Sequence, residues 1–287
     1  MKKKLVIAVA ILAVLSICTA TWITGSILTA AAPQVAGQIP SDLKGTNVEF
    51  KSNSGALIHG WFITGERGKG TVILMHGVRS NRLSVLDRAR FLSRAGFSVL
   101  LFDFQAHGES SGNRITFGYL ESRDAQSAVN FLKQTLPAER IGIIGISMGG
   151  AATLLATPPL AVDAVVLEMV YPTIEEAVGD RLAIRLGQWS KHLSSLLTWQ
   201  LKFRINVSAA DLRPIDRVGN VNAPKLFIVG SNDQHTTLAE SKRLFETAPA
   251  PKELWIVEGA SHTDFHRVAR LEYESRVIHF FQRYLGQ

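Results

Sequence analysis

The stretch Gly145-Ile146-Ser147-Met148-Gly149 has the pattern G-x-S-x-G. The string alone is only a hint, but its setting adds to it. An apolar run at residues 141–144 comes before it, and the helix-forming Ala151-Ala152-Thr153-Leu154-Leu155 comes after. On a sharp strand-to-helix turn, glycines on both sides let neighbouring backbones approach. The serine then stands at a helix N-terminus, whose dipole favours developing negative charge. A neutral serine is a weak nucleophile and needs a base oriented by an acid. Asp233 lies in Gly230-Ser231-Asn232-Asp233-Gln234-His235, after an apolar run at residues 225–229. His262 closes Glu258-Gly259-Ala260-Ser261-His262, after a run at residues 254–257. In the chain order Ser, acid, His, the chemistry is acyl transfer with Ser147 as nucleophile, Asp233 as acid and His262 as base. His76-Gly77-Val78 closes a further run at residues 71–75; there the useful group is the backbone N–H of Val78, which with that of Met148 makes a two-donor oxyanion hole.

Other polar residues compete for these roles. Glu168, next to the run at residues 162–167, is an alternative acid, though better suited as a structural partner near the site. His266, one helical turn past His262, is expected to face solvent. His235 is expected at the surface, with substrate contact as the alternative. His59, His192 and His279 lie on elements with no catalytic context. His76 is expected as a turn and hydrogen-bonding residue; as a metal ligand it has no second ligand at suitable spacing. The single cysteine, Cys18, excludes an internal disulfide framework and a cysteine-based zinc site. The expectation is therefore no metal and no cofactor.

Catalytic loops need strands to hold them. Short apolar runs at residues 71–75, 97–102, 141–146, 162–167, 225–229 and 254–257 read as parallel strands buried on both faces. Amphipathic helices are expected between them at 82–94, 122–135, 237–247 and 266–284. In the first, Leu83, Leu86, Ala89 or Arg90, and Leu92 form the apolar face. Gly96 ends that helix. Alternating runs at 48–50 and 57–62, separated by Asn53-Ser54-Gly55, read as an antiparallel hairpin. The fold class is α/β: a doubly wound, mostly parallel sheet. One connection, from Leu167 to Lys225, is far longer than a crossover needs. Residues 174–206 look helical and are rich in Leu182, Ile184, Leu186, Trp189, Leu193, Leu196, Leu197, Trp199 and Phe203. They read as an inserted cap at about 172–210, or as an extra packing helix pair with no substrate role.

Composition sets the outer limits. The chain has 287 residues, 46% of them hydrophobic and 19% charged, which excludes a disordered chain, a coiled coil and a collagen-like fibre. The net charge is +7, but three of those charges are Lys2, Lys3 and Lys4, and the rest are scattered, so nucleic acid is not an expected partner. Residues 5–23 are nearly all apolar and span about 28 Å as a helix, close to a bilayer core. With the lysines ahead of it, this segment keeps the N-terminus in the cytoplasm and the rest outside. Residues 1–32 are then a signal anchor, or a signal peptide cleaved near Ala20 or Ala32, with the body secreted or periplasmic in the second case. A lipoprotein reading through Cys18 is weak, because bulky Ile17 precedes it. Residues 33–44 read as a linker, uncharged from Pro33 to Pro40, and 45–287 as the catalytic domain.

Taken as a set, HGVRSN, FDFQAHGESSG, GISMGG, SND and GASH over about residues 45–285 resemble the α/β-hydrolase fold superfamily. The similarity is greatest to its serine-hydrolase branch, related to serine aminopeptidases and to membrane-anchored Bem46-like hydrolases. The resemblance implies the same roles for Ser147, Asp233, His262, Val78 and Met148. One departure stands out: members often read Asp-x-Arg-Gly-His-Gly-x-Ser, where this chain has Gln105-Ala106 in place of Arg-Gly. The function implied is cleavage of carboxylic esters or thioesters, with a small-molecule or lipid-like acyl substrate and the membrane as partners. The oligomeric state is left open. An aminopeptidase or acyltransferase is the alternative on the same residues, the former kept open by Glu175 and Glu176. A catalytically silent binding protein on this fold is a third reading.

Overall fold

A computed structural model describes residues 2–262 and 265–286. An apolar helix, α1 (Lys2–Thr29), leads into a two-residue strand, β1 (Ala32–Pro33). There follow β2 (Gly45–Lys51), β3 (Leu57–Ile63), β4 (Thr71–Met75), α2 (Leu86–Arg94), β5 (Ser98–Phe102), β6 (His107–Gly108), α3 (Tyr119–Thr135), β7 (Ile141–Ile146), α4 (Met148–Leu155) and β8 (Ala164–Glu168). Three helices come next: α5 (Ile174–Leu186), α6 (Ser194–Trp199) and α7 (Leu201–Ile205). The chain closes with β9 (Lys225–Gly230), α8 (Leu238–Thr247), β10 (Lys252–Val257), α9 (Phe265–Val268) and α10 (Arg270–Leu285).

The main sheet has eight strands in the order β10-β9-β8-β7-β4-β5-β3-β2. β10 through β5 are parallel; β3 and β2 join antiparallel. The apolar runs are continuous because both faces are covered. Val72 and Leu74 of β4 pack with Phe91, Leu92, Tyr273 and Phe281 on one face. Ile73 and Met75 pack with Ala125, Val129 and Leu132 on the other. Gly96 has φ +90 directly after α2, a conformation that stops the helix and suits glycine.

Three expectations are corrected. Leu83 is 39% exposed, whereas Arg82 and Val85 are buried. The cause is that Arg82–Val85 form a tighter 3-10 turn ahead of α2, so the register of the inward face rotates. Arg88, Ala89, Phe91 and Leu92 continue that face. The C-terminal helix is two helices, because Ala269 leaves the helical conformation at φ −129 and ψ 45. His266, expected in solvent, is buried: it stacks on Phe91 with ring centroids 5.5 Å apart, and Nε2 lies 2.9 Å from Glu274.

The segment after α1 is docked. β1 pairs in parallel with β6. The N–H of Ala32 donates to the Ala106 carbonyl at 2.8 Å, and that of Gln34 to Gly108 at 2.9 Å. Glu109 Oε1 accepts from the N–H of Ala36 at 3.1 Å. Arg79 donates to the carbonyls of Ile27 (3.0 Å) and Ala30 (3.3 Å). Arg204 of α7 donates to Trp22 O, bonds Ser26 Oγ at 2.6 Å, and lies 3.9 Å above the Trp22 ring. The side chains of α1 are otherwise exposed along most of its length, and its most apolar stretch has a mean hydropathy of 2.5, long and apolar enough to cross a bilayer.

Candidate active site

Ser147 sits between β7 and α4 with φ 49 and ψ −110. That is a left-handed φ for a residue with a Cβ, a strain of order 1–3 kcal/mol, which the surrounding contacts must hold. Its N–H donates to Glu168 O at 2.8 Å, and its carbonyl accepts from the N–H of Ala151 at 2.9 Å. Gly149 is where the turn needs glycine: a Cβ there would fall 2.4 Å from Met75 O and 2.9 Å from His76 O. The absent side chain lets α4 start against the end of β4.

Asp233 and His262 leave the same end of the sheet, on loops after β9 and β10. The Asp233 side chain is nearly fully buried. Its Oδ1 accepts from the N–H of His235 (2.7 Å) and Thr236 (3.0 Å), and its Oδ2 lies 2.8 Å from His262 Nδ1. Ser147 and His262 line one cavity of about 400 Å³, together with Gly77, Val78, Ile146 and Met169. Met148 opens α4, so its N–H is one of the helix's free donors. Among the described residues no backbone acceptor engages the N–H of Val78 or of Met148.

His76 is fully buried. Its Nε2 accepts from the N–H of Phe104 at 3.1 Å, and Nδ1 donates to Gly77 O at 2.7 Å. Burial, then the neighbouring His107, pulls its pKa down to about 3, so it is a neutral brace for the loop carrying Val78. Glu168 is also structural: it pairs with Arg88 at 2.7 Å and accepts from the Tyr273 hydroxyl. The departure at residues 105–106 has a visible form. Ala106 takes φ 58, a left-handed conformation, and Gln105 Nε2 donates to Arg114 O (2.7 Å) and Glu121 (2.9 Å). The loop is held further by Arg82, which spans Asp103 and Glu109.

Several cavity residues were not expected there from sequence, among them His235, Arg88 and Arg181. His235 stacks on His262 with centroids 5.0 Å apart. Burial, then the nearby Arg181 and His262, lowers its pKa. Its position beside Asp233 was the available signal; the side chain lies at the cavity wall and not on open surface. Arg181 enters from α5, and nothing local in the sequence marks it. Glu175 and Glu176 do not line the cavity; Glu176 instead pairs with Arg243 and bonds Thr173 Oγ1 at 2.9 Å. Among the described residues no group of three or more His, Cys, Asp or Glu side chains could hold a metal ion.

Comparisons with known proteins fit this architecture. The family model described as serine aminopeptidase, S33, matches residues 66–202, a span that contains Ser147 and ends before Asp233 and His262. The uncharacterised Bacillus subtilis protein YqkD is 29% identical over 229 residues, 78% of this chain and 74% of its own. The Arabidopsis thaliana α/β hydrolase domain-containing protein WAV2 is 26% identical over 211 residues, 71% of this chain and 67% of its own. Among solved structures, the Pyrococcus furiosus esterase Pf2001 superposes with a TM-score of 0.73 at 25% identity, covering 90% of this chain and 99% of that one. By its strand order, its strained strand-to-helix turn and these likenesses, the chain has the α/β-hydrolase fold, and the matches support a hydrolase built on it.

Proposed function

We propose that the protein is a serine hydrolase that cleaves carboxylic esters or thioesters through an acyl-enzyme. Ser147 Oγ attacks the carbonyl carbon while His262 Nε2 takes its proton. The C–O or C–S bond to the leaving group then breaks, and His262 returns the proton to it. Water repeats the sequence in reverse and frees the acid. Asp233 holds the imidazole with Nδ1–H toward itself and stabilises the imidazolium. The N–H groups of Val78 and Met148 take the charge on the tetrahedral oxygen. The observation that carries this reading is the 2.8 Å Asp233–His262 contact at the wall of the cavity that Ser147 also lines. In the same reading α1 anchors the body in a membrane with the cavity on the extracytoplasmic side, or is removed to leave a secreted or periplasmic enzyme.

An aminopeptidase needs a carboxylate facing the substrate's α-ammonium. Among the described residues no acidic side chain lines the cavity, so the peptidase alternative has less support than ester cleavage. The test is labelling of the full-length protein by a fluorophosphonate, paired with p-nitrophenyl ester turnover. Both are expected in the wild type and lost in Ser147→Ala. Labelling that persists in that variant, or a folded wild type that takes no label, overturns the proposal.

A further inference from the structure

Two guanidinium groups line the cavity, those of Arg88 and Arg181, and their situations differ. Arg88 Nε and Nη2 reach Glu168 at 3.2 and 2.7 Å, and Nε lies 3.0 Å from the Tyr273 hydroxyl, so a buried carboxylate matches its charge. Arg181 is half-buried on α5. Its Nη1 donates to the carbonyls of Ala177 (2.8 Å) and His235 (3.5 Å). Among the described residues no carboxylate lies within ion-pair distance of Arg181, and its Nε and Nη2 have no acceptor. The carboxylates near enough to act on it through space are committed elsewhere. Asp233 holds His262, Asp180 pairs with Lys191 at 2.7 Å, and Glu240 accepts from the N–H of Thr237 at 2.8 Å.

A partly desolvated guanidinium with no direct ion-pair partner among the described residues is better satisfied once an anion arrives. We propose that Arg181 binds an anionic group carried by the substrate, a carboxylate or a phosphate, so that the preferred esters are acidic ones. The planar fork of the guanidinium pairs with either oxyanion through two hydrogen bonds. Val78, Ile146 and Met169 give the cavity apolar wall, which suits a hydrocarbon stretch between the ester and the anion. This inference rests on the acyl-enzyme reading, because the anion is recognised in the cavity of the serine.

The experiment compares three p-nitrophenyl esters on the full-length protein in neutral detergent. The first is the monoester of adipic acid, the second the same compound with its free carboxyl methylated, and the third a hexanoate with a terminal phosphate. At least one anionic ester is expected to exceed the neutral one in kcat/KM by about tenfold or more, and the ratio should shrink as salt is added. Arg181→Gln should bring the ratio close to one, and Arg181→Lys should keep part of it. The two anionic arms tell a carboxylate ligand from a phosphate. Wild-type protein with no preference for either anion overturns the inference without any variant; so does an unchanged ratio in Arg181→Gln. If turnover depends on Ser147 yet shows no anion preference, only the role of Arg181 falls. If no ester is cleaved, or cleavage survives in Ser147→Ala, the serine reading falls and this one with it.

Discussion

Asp233 divides its two oxygens between two tasks. One is spent on the N–H groups of residues 235 and 236, which fixes the carboxylate in its loop; the other meets the imidazole. Asp233→Asn should therefore keep the loop but favour the wrong imidazole tautomer. We expect kcat for a neutral ester to drop by about 10²- to 10⁴-fold with little change in KM; an unchanged kcat would remove Asp233 from the mechanism. Glu240 gives a second prediction at this scale. Burial, and then the Asp180 carboxyl beside it, pushes its pKa up from 4.5 to about 7. The folded state thus holds a proton that the unfolded chain releases, and stability is lost as pH rises from about 4.5 to about 7. Glu240→Gln keeps an oxygen for the Thr237 N–H and removes this loss. Its thermal midpoint relative to wild type should climb across that range; a pH-independent difference would refute the account. The sequence made Ser147, Asp233 and His262 legible because each follows an apolar run at a loop, a local pattern. It could not show Arg88, Arg181 or His266 turned inward, because each burial depends on residues remote in the chain, such as Glu168 or Phe91.

At the level of elements, the strand-to-helix turn at Ser147 depends on how closely α4 abuts β4. A methyl group at position 149 would strike main-chain oxygens that cannot swing aside. Gly149→Ala should cost about 1–3 kcal/mol of stability. It should also lower ester turnover by more than the lost folded fraction, since Met148 N–H moves with the helix. A denaturant midpoint equal to wild type would show that the turn has slack. Strand positions were readable because burial on both faces leaves an unbroken apolar run, and Ala125, Ala128, Val129 and Leu132 mark the inner face of α3 as their spacing suggests. Other features were not. The 3-10 turn at Arg82–Val85 shifts a helical face without any change of composition, and the break at Ala269 carries no proline or glycine. The pairing of β1 with β6 is decided by backbone groups, to which side-chain patterns are blind.

For the molecule as a whole, α1 decides where the enzyme works. With the helix retained, the full-length protein should stay in the pellet after alkaline carbonate extraction of membranes, and a chain lacking residues 1–29 should be released. Release of a shortened natural product would instead indicate cleavage. Arg79, the residue after Val78, grips the last turn of α1 and the segment just beyond it, while Arg204 clasps the turn before. Once α1 stands in a bilayer, the body above it is therefore a fixture on a mast and not a float on a line. Its height and tilt are set by two guanidinium clamps, and every copy should stand at one shared angle to the lipid headgroups.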